Sequence, residues 1–442
     1  MTLETKGAKS ASTDHATPAS STGTVAARFR PILHHVFGGE PPLRFRFWDG
    51  SALGPDRGDG ELAFRSRDAL RRLIWAPGEL GLARAYVAGD ADLEGDLFTL
   101  LRQLSDELRG VRNLSARAFV AAIGTAVKVG AIGRPLRPPP EEVHLRGTAH
   151  SKTRDARAVT HHYDVGNDFY KLVLGPALTY SCARFVTADT SLEDAQRAKH
   201  DLIARKLGLH EHRGARLLDV GCGWGSMAMH AAEAYEARVV GITLSPSQVE
   251  LANKRIAEAG LADRIEIRLQ DYRDLKGEQF DAISSVGMFE HVGSERMSVY
   301  FRTLFDVLAP GGRLLNHAIS RPGGSKLTGR TFIARYVFPD GELVDVADVV
   351  RGMEAEGYEV RDVESLREHY AQTLKHWVVN LEDNWDEAVA LTSEGRARVW
   401  RLYMAASANN FEDGPLSIHQ ILGVKTMANG AALMPRTRLD WG

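Results

Sequence analysis

The order of apolar and polar positions divides the chain into two regions with different periodicities. Near the N-terminus, "LRFRFWDG" alternates apolar and polar residues as a half-buried strand does, whereas "RDALRRLIW" and "LFTLLRQLSDEL" carry apolar residues at helical spacing. This mixture predicts a small α+β unit. Further along, apolar runs of strand length alternate with helix-length segments. These runs are "ARLLDVG", "ARVVGITL", "RIEIRL", "FDAISSVGM" and "GRLLNHAI".

The second region has the pattern of a doubly wound sheet. Strands that alternate with helix-length segments pair in parallel, and helices cover both faces of the sheet. Ligands of such sheets bind outside the carboxyl ends of the strands. The predicted fold class is therefore α/β, a Rossmann-like domain preceded by a small α+β domain, with the chemistry directly after the apolar runs.

Prolines and small polar residues set the predicted boundaries. Residues 1–26 are rich in Ser, Thr and Ala and lack an apolar segment, so we expect a disordered tail rather than a signal peptide. The small domain is predicted over residues 27–125. A linker follows over residues 126–158, where consecutive prolines forbid regular structure. The large domain is predicted over residues 159–442.

The chain around this linker suits a membrane surface. Residues 119–133 are apolar but too short to cross a bilayer, and they can lie on one. The basic residues that follow outnumber Glu141, Glu142 and Asp155, which favours anionic lipid headgroups. A solvated linker explains the same charges equally well. The basic residues are Arg134, Arg137, Arg146, Lys152, Arg154 and Arg157.

Composition excludes several classes of protein. The formal net charge is -2, with 44% apolar and 25% charged residues, so the chain has no general attraction to nucleic acid. Cys182 and Cys222 are too few for a disulfide framework or a zinc cluster and are compatible with a reducing cytoplasm. We expect no metal site and interpret four paired histidines as structural or surface groups, with proximity to a cofactor as an alternative for His162. These are His161, His162, His210 and His212.

A glycine turn between a strand and a helix predicts a nucleotide-like cofactor. Gly221, Gly223 and Gly225 let the backbone turn tightly and approach a ligand, and the helix N-terminus adds a favourable dipole. A dinucleotide site requires G-x-G-x-x-G and an acidic residue after the next strand. Here the spacing is G-x-G-x-G after Asp219, and Thr243 follows the next strand, which disfavours nicotinamide cofactors.

Several ordered motifs carry a family resemblance. "LDVGCGWG", "LQDYRDL" and "LFDVLAPGGRLL" resemble, in order, motifs of the seven-stranded class I S-adenosylmethionine methyltransferases. With "VTHHYDVGNDFYKLVLGPALTYSCARF", "VGMFEHVG" and "LLNHAIS", the chain from about residue 158 to 423 resembles the cyclopropane-fatty-acid synthase family, which includes the mycolic acid cyclopropane synthases. "ELGLARAYVAGDADLEGDLFTLL" resembles the longer, phospholipid-acting members and, faintly, sterol-carrier-type lipid-binding domains.

The resemblance implies S-adenosylmethionine as the cofactor. Hydroxyl and amide groups after the second strand take the place of the acidic residue that other families use for ribose. The implied cofactor-binding residues are Tyr180, Ser181, Asp219, Gly221, Gly223, Gly225, Thr243, Ser245, Gln248, Asp271 and Tyr272.

The resemblance also implies the reaction. A methyl group passes from the sulfonium to a cis double bond of a phospholipid acyl chain and leaves a carbocation, whose deprotonation closes a cyclopropane ring. Aromatic faces stabilise such a cation, and core packing explains the same rings equally well. The candidate rings are Tyr163, Phe169, Tyr180 and Phe289.

The base in this family is a bound bicarbonate. Its holders correspond here to backbone groups of Cys182 and Ile319 and to side chains of Glu290, His317 and Tyr370. We expect Glu290 and His317 to titrate as a coupled pair. Many relatives carry a cysteine where this chain has Ser407, which argues against a covalent thiol at that position.

Three other functions remain open at this point. The same methyl transfer can end in a methylene branch that a flavin reductase partner reduces. A methyltransferase for a soluble small molecule and a non-enzymatic lipid carrier are more distant alternatives. For the leading function we expect a cytoplasmic protein associated peripherally with the inner face of the membrane, acting on unsaturated phospholipid acyl chains, and by resemblance a homodimer.

Overall fold

The computed structural model describes residues 23–56, 58, 60–110, 116–143, 154, 165–326, 331–339 and 341–441. Most of the predicted tail, most of residues 144–164, and with them His161, His162 and Tyr163, lie outside the described residues. Within the described residues, no helix combines the length and hydrophobicity that crossing a membrane requires.

The N-terminal domain is a four-stranded sheet covered by helices, as the mixed periodicity predicts. Its sheet has the order β2-β1-β3-β4, in which β1 and β3 are parallel and the other pairs antiparallel. Stacked phenylalanines, among them Phe47 and Phe64 with centroids 5.6 Å apart, fill its core. The strands are β1 (Arg44–Arg46), β2 (Ala52–Leu53), β3 (Gly60–Phe64) and β4 (Ala91–Gly95). The helices are α1 (Val25–Phe37), α2 (Arg67–Trp75), α3 (Glu79–Val87), α4 (Leu97–Gly110) and α5 (Ala116–Lys128).

The boundaries of this domain differ from those predicted. Thr24 caps α1, so the ordered chain begins before residue 27. The predicted boundary at 125 falls inside α5, which continues to Lys128. Ala126 and Ala131 are buried in the core of the domain, so the domain extends beyond that boundary. The proline-rich chain beyond α5 forms no regular element up to residue 143, as expected. It nevertheless lies against α2, where the indole N–H of Trp75 donates to the carbonyl of Gly133 at 2.9 Å.

The large domain contains a seven-stranded, mostly parallel sheet with the order β12-β13-β9-β8-β5-β6-β7. This confirms the predicted doubly wound, class I methyltransferase fold. The five runs identified by pattern form the parallel part, and β12 and β13 add an antiparallel edge. The strands are β5 (Arg216–Val220), β6 (Arg238–Thr243), β7 (Ile265–Leu269), β8 (Phe280–Val286), β9 (Leu308–Ser320), β12 (Glu359–Ser365) and β13 (Ser417–Val424). A separate two-stranded ribbon pairs β10 (Ser325–Lys326) with β11 (Glu342–Leu343).

Helices cover both faces of this sheet, and one of them also contacts the N-terminal domain. Helix α15 packs along α13 and meets α3 and α4. Arg398 on α15 pairs with Asp92 at the end of the N-terminal sheet, 3.1 Å away. The helices are α6 (Asn167–Leu174), α7 (Leu192–Lys206), α8 (Ser226–Tyr235), α9 (Pro246–Glu258), α10 (Met297–Val307), α11 (Phe332–Tyr336), α12 (Val346–Ala355), α13 (Arg367–Asp383), α14 (Trp385–Leu391) and α15 (Glu394–Glu412).

Candidate active site

The glycine turn after β5 adopts a backbone that side chains rarely tolerate. Gly221 and Gly223 have φ values of 74° and 55°, in the left-handed region. The N–H groups of Gly221 and Cys222 donate to the carbonyl of Ile242, which ties the turn to β6. A Cβ atom on Gly221 would lie 3.3 Å from the Cβ of Met288. The turn therefore leaves its backbone open to a ligand.

A deep cavity opens at the carboxyl ends of β5, β6, β7 and β8. It is the position at which doubly wound sheets bind their ligands. Nine of the eleven predicted cofactor residues line it: Tyr180, Ser181, Asp219, Gly221, Gly223, Thr243, Gln248, Asp271 and Tyr272. Gly225 and Ser245 do not appear among the lining residues. They instead begin helices α8 and α9, and Ser245 Oγ accepts from the N–H of Gln248.

The polar groups of the cavity fit S-adenosylmethionine. Thr243 Oγ1 donates to Gln248 Oε1 at 2.7 Å, which places a hydroxyl and an amide where dinucleotide enzymes carry an acid. Asp219 Oδ1 accepts from Ser284 Oγ at 2.7 Å, and its Oδ2 is a buried oxygen without a hydrogen bond to the described residues. Burial raises the pKa of Asp219 to about 6, although the hydrogen bond from Ser284 lowers it. A buried polar atom without a partner indicates a missing ligand or water.

Several residues that line the cavity were not predicted from the sequence. Lys199 sits mid-helix in α7, in a segment whose pattern gives no sign of a ligand. Arg273 and Met288 lie within the motifs "LQDYRDL" and "VGMFEHVG" but were not among the predicted cofactor-binding residues. Arg273 pairs with Asp271 at 2.6 Å. The carboxylate of Asp271, a predicted cofactor-binding residue, is therefore already partly neutralised.

We expect Gly221→Ala to weaken binding of S-adenosylhomocysteine about tenfold, equivalent to about 1.4 kcal/mol. The methyl group would crowd Met288 and fix a strained φ next to the ligand. Isothermal titration calorimetry measures this effect. Gly260→Ala is the matched control, because Gly260 has a φ of 70° and nothing within 4 Å of the added Cβ. Equal affinities for both variants would contradict close approach of the ligand at Gly221.

The predicted bicarbonate residues form a second cluster, next to the cavity. The N–H of Ile319 donates to Glu290 Oε1 at 2.8 Å. His317 precedes Ile319 by two residues on β9 and so points to the same face of the sheet. It is fully buried, its Nδ1 lies 3.3 Å from Gln420 Nε2, and its Nε2 makes no hydrogen bond to the described residues. Glu290 Oε2 is likewise buried and unbonded within the described chain.

Cys182 and Tyr370 join this cluster through Leu366. The thiol of Cys182 donates to the carbonyl of Leu366 at 3.6 Å, and the N–H of Tyr370 donates to the same carbonyl at 3.1 Å. Leu366 in turn donates its N–H to Ile418, the strand partner of Ile319. The five predicted residues are therefore connected through neighbouring elements.

Burial dominates the acid–base properties of the cluster. It raises the pKa of Glu290 to about 7, partly offset by the backbone hydrogen bond from Ile319. Burial also lowers the pKa of His317 well below its usual value, and the positive charges of Lys199, Lys206 and His419 lower it further. Glu290 is therefore largely protonated below neutral pH while His317 is neutral. The expected coupling between these two residues stays a prediction.

The raised pKa of Glu290 predicts a pH-dependent stability. The folded state holds this proton to a higher pH than the unfolded chain, so the contribution is present below pH 4.5 and lost as pH rises through about 7. Relative to Glu290→Gln, we expect the wild type to lose about 3 kcal/mol of unfolding free energy between pH 4.5 and pH 8. Urea unfolding of both proteins in degassed, bicarbonate-free buffer measures the difference. Parallel pH profiles would contradict it.

Aromatic rings surround the boundary between the cavity and the cluster. Tyr180 packs against Trp377 and Trp400, with ring centroids 5.3 and 5.7 Å away. Its hydroxyl lies 3.3 Å from that of Tyr403, which α15 supplies. Trp377, Trp400 and Tyr403 were not predicted. Of the predicted rings, Phe169 joins this shell through Trp400, whereas Phe289 packs in the core under the sheet with Tyr300 and Phe301.

Comparison with known proteins identifies a matching family and several relatives of this chain. Residues 150–421 match the family model described as mycolic acid cyclopropane synthetase. A probable fatty acid methyltransferase of Mycobacterium tuberculosis is 43% identical over 408 residues, covering 90% of this chain and 94% of its own. A tuberculostearic acid methyltransferase of the same organism is 33% identical over 95% of this chain and 98% of its own.

Solved structures are similar over the large domain. A mycolic acid cyclopropane synthase complexed with SAH and CTAB is 35% identical, with a TM-score of 0.57. The match covers 61% of this chain and 97% of that one.

Proposed function

Because the chain belongs to the mycolic acid cyclopropane synthetase family and is an S-adenosylmethionine-dependent methyltransferase, we propose that it forms cyclopropane rings at cis double bonds of phospholipid acyl chains. The observation that carries this proposal is that Glu290 Oε2 and His317 Nε2, two buried atoms on elements next to the cofactor cavity, make no hydrogen bond to the described residues.

The residues divide the chemistry between two neighbouring spaces. S-adenosylmethionine supplies an electrophilic methyl group when it is bound at the glycine turn. The rings of Tyr180, Trp377 and Trp400 exclude water and offer π faces to the positive charge that develops on the acyl chain. None of these three rings carries a negative charge that would trap the cation, since burial raises the pKa of Tyr180 well above its usual value.

The Glu290 cluster fits a small bound anion, which we propose is bicarbonate. Bicarbonate would supply a weak base for the proton released in ring closure. Glu290 is held by the N–H of Ile319 and, when protonated, donates through Oε2. His317 Nε2 is a second buried atom that makes no hydrogen bond to the described residues. Cys182 offers its backbone here, because burial raises the pKa of its thiol and removes its nucleophilic form.

A methylene-branched product is the second candidate. Of two relatives that match nearly the full chain, one is named a probable fatty acid methyltransferase and the other a tuberculostearic acid methyltransferase. Neither name mentions a cyclopropane product. The first step is shared, and the position from which the proton leaves decides the product. In this case a flavin-dependent reductase would complete the reaction.

One experiment separates these products. The protein is expressed in a host that lacks such an enzyme, and the fatty acids of its phospholipids are analysed after labelling with methionine that carries carbon-13 in its methyl group. The two products are isobaric, so proton NMR must distinguish upfield ring signals from olefinic methylene signals. Ring signals support the proposal and methylene signals support the alternative. Unlabelled acyl chains, together with turnover of a soluble acceptor by the purified protein, would overturn both.

The N-terminal domain is proposed to bring the site to the inner face of the membrane. Trp75, Val127 and Ile132 are 56%, 55% and 48% exposed. Val127 precedes Lys128, and the indole N–H of Trp75 donates to the carbonyl of Gly133, which precedes Arg134. Such a surface suits an anionic bilayer. In flotation with phosphatidylglycerol vesicles, the wild type should be recovered with the vesicles, whereas a Trp75→Ser/Ile132→Ser variant should not. Equal flotation of both would contradict this docking surface.

A further inference from the structure

Lys199 is a buried cation whose place in the reaction is so far unexplained. It exposes 1% of its surface, and its ammonium donates to Ser181 Oγ at 3.0 Å. In the described part of the chain no carboxylate lies within ion-pair distance of it. Lys206, seven residues later on the same helix, is buried to the same extent but pairs with Asp362 and Glu364. Burying an ammonium without an anion is costly.

The position of Lys199 shows where an anion would come from. Lys199 lines the cofactor cavity together with Asp219, and each residue has hydrogen-bonding capacity left over. Burial lowers the pKa of Lys199 to about 7, and the charge interactions with Cys182 and Asp219 partly offset this by raising it. One wall of the cavity thus presents a cation and an anion within mutual electrostatic influence. This is the complement of a free α-amino acid group, which carries one charge of each sign.

We propose that Lys199 binds the carboxylate of the methionyl end of S-adenosylmethionine and thereby positions the cofactor. The ammonium of the same group then faces Asp219. The inference rests on the cofactor alone and not on the proposed lipid product. It therefore stands or falls separately from ring formation.

The surroundings of Lys199 keep it in place for this role. Gln196, one turn earlier on α7, donates to the carbonyls of Thr179 and Ser181 at 3.3 and 2.9 Å. These bonds fasten the segment before α7 to the helix, and Ser181 Oγ then orients the ammonium. A donor fixed before the ligand arrives loses little entropy on binding.

The test compares two ligands that differ only in the carboxylate. Calorimetry measures binding of S-adenosylhomocysteine and of its decarboxylated analogue to the wild type, Lys199→Met and Lys254→Met. Lys254 is the control, because it is an exposed lysine on α9 that pairs with Glu258. From the strength of charge-assisted hydrogen bonds to buried groups, we expect Lys199→Met to weaken the binding of S-adenosylhomocysteine about 10- to 100-fold. For the decarboxylated analogue, the dissociation constants of this variant and of the wild type should agree within about threefold. Lys254→Met should bind both ligands with the affinities of the wild type.

The ligand comparison also works without any substitution. If Lys199→Met does not fold, the wild type alone must still bind the decarboxylated analogue at least about tenfold more weakly than S-adenosylhomocysteine. Equal binding of the two ligands overturns the proposal. Unchanged S-adenosylhomocysteine binding by Lys199→Met, combined with a raised bicarbonate requirement, also overturns it and assigns the lysine to the Glu290 cluster.

Discussion

Glu290→Gln is expected to lower kcat by about 10²- to 10³-fold while leaving the affinity for S-adenosylhomocysteine unchanged. The amide oxygen still accepts the N–H of Ile319, so the local structure is retained. The glutamine amide still donates a hydrogen bond, but the acidic proton that burial holds on Glu290 near neutral pH is lost, and the side chain can no longer exchange a proton with the bound base. Methyl transfer to oleoyl phospholipid vesicles gives the rate, and calorimetry gives the affinity.

The control for this variant is Glu250→Gln. Glu250 is an exposed glutamate on α9, and its substitution removes the same charge without touching the cluster. We expect it to retain wild-type turnover. Full activity of Glu290→Gln would remove bicarbonate, and the role assigned to Glu290, from the mechanism.

Arg398→Met is expected to destabilise the protein by about 3 kcal/mol, since removing one partner of a buried ion pair leaves the charge of the other partner uncompensated. The side chains of Arg398 and Asp92 are 6% and 13% exposed and lie 3.1 Å apart. Arg65 still contacts Asp92 after the change, which keeps the loss at the lower end of the range for such pairs. Arg398 also donates to the carbonyl of Tyr86, which keeps the N–H of Gly89 as a donor after the change. Urea unfolding measures the difference.

Arg102→Met tests the same domain interface at its exposed rim. Arg102 is 39% exposed and pairs with Asp413 and Glu412 across the two domains. Exposed ion pairs contribute at most about 1 kcal/mol, so we expect a loss below that. A similar loss in both variants would mean that burial of Arg398 contributes little.

The parallel strands were predictable because they are buried on both faces. Such strands appear as nearly continuous apolar runs, as "LLDV" in β5 and "VVGIT" in β6 illustrate. The edge strand β12 follows a different physical rule. Its residues are mostly exposed, Val363 to 41%, and its pairing depends on β13, nearly 60 residues away in sequence. Local pattern contains no such information.

The site was predictable only as far as motifs reach. The glycine turn follows from strand, turn and helix in immediate succession, and the cluster residues came from family resemblance. Lys199 was missed because a lysine in the middle of a mixed helix normally faces solvent. Its burial arises only when α7 packs against the sheet and the segment around Ser181. Gly225 and Ser245 were assigned to the ligand, whereas their local geometry assigns them to helix caps.

The two thiols of the chain have a practical consequence. Cys182 lies in the cluster and Cys222 in the glycine turn; both are buried, and burial raises the pKa of each above its ordinary value. A protonated, shielded sulfur reacts slowly with peroxides, maleimides and mixed disulfides. The folded protein should therefore withstand mild oxidants without added reductant. A single cysteine introduced on its surface would take up a spectroscopic label selectively.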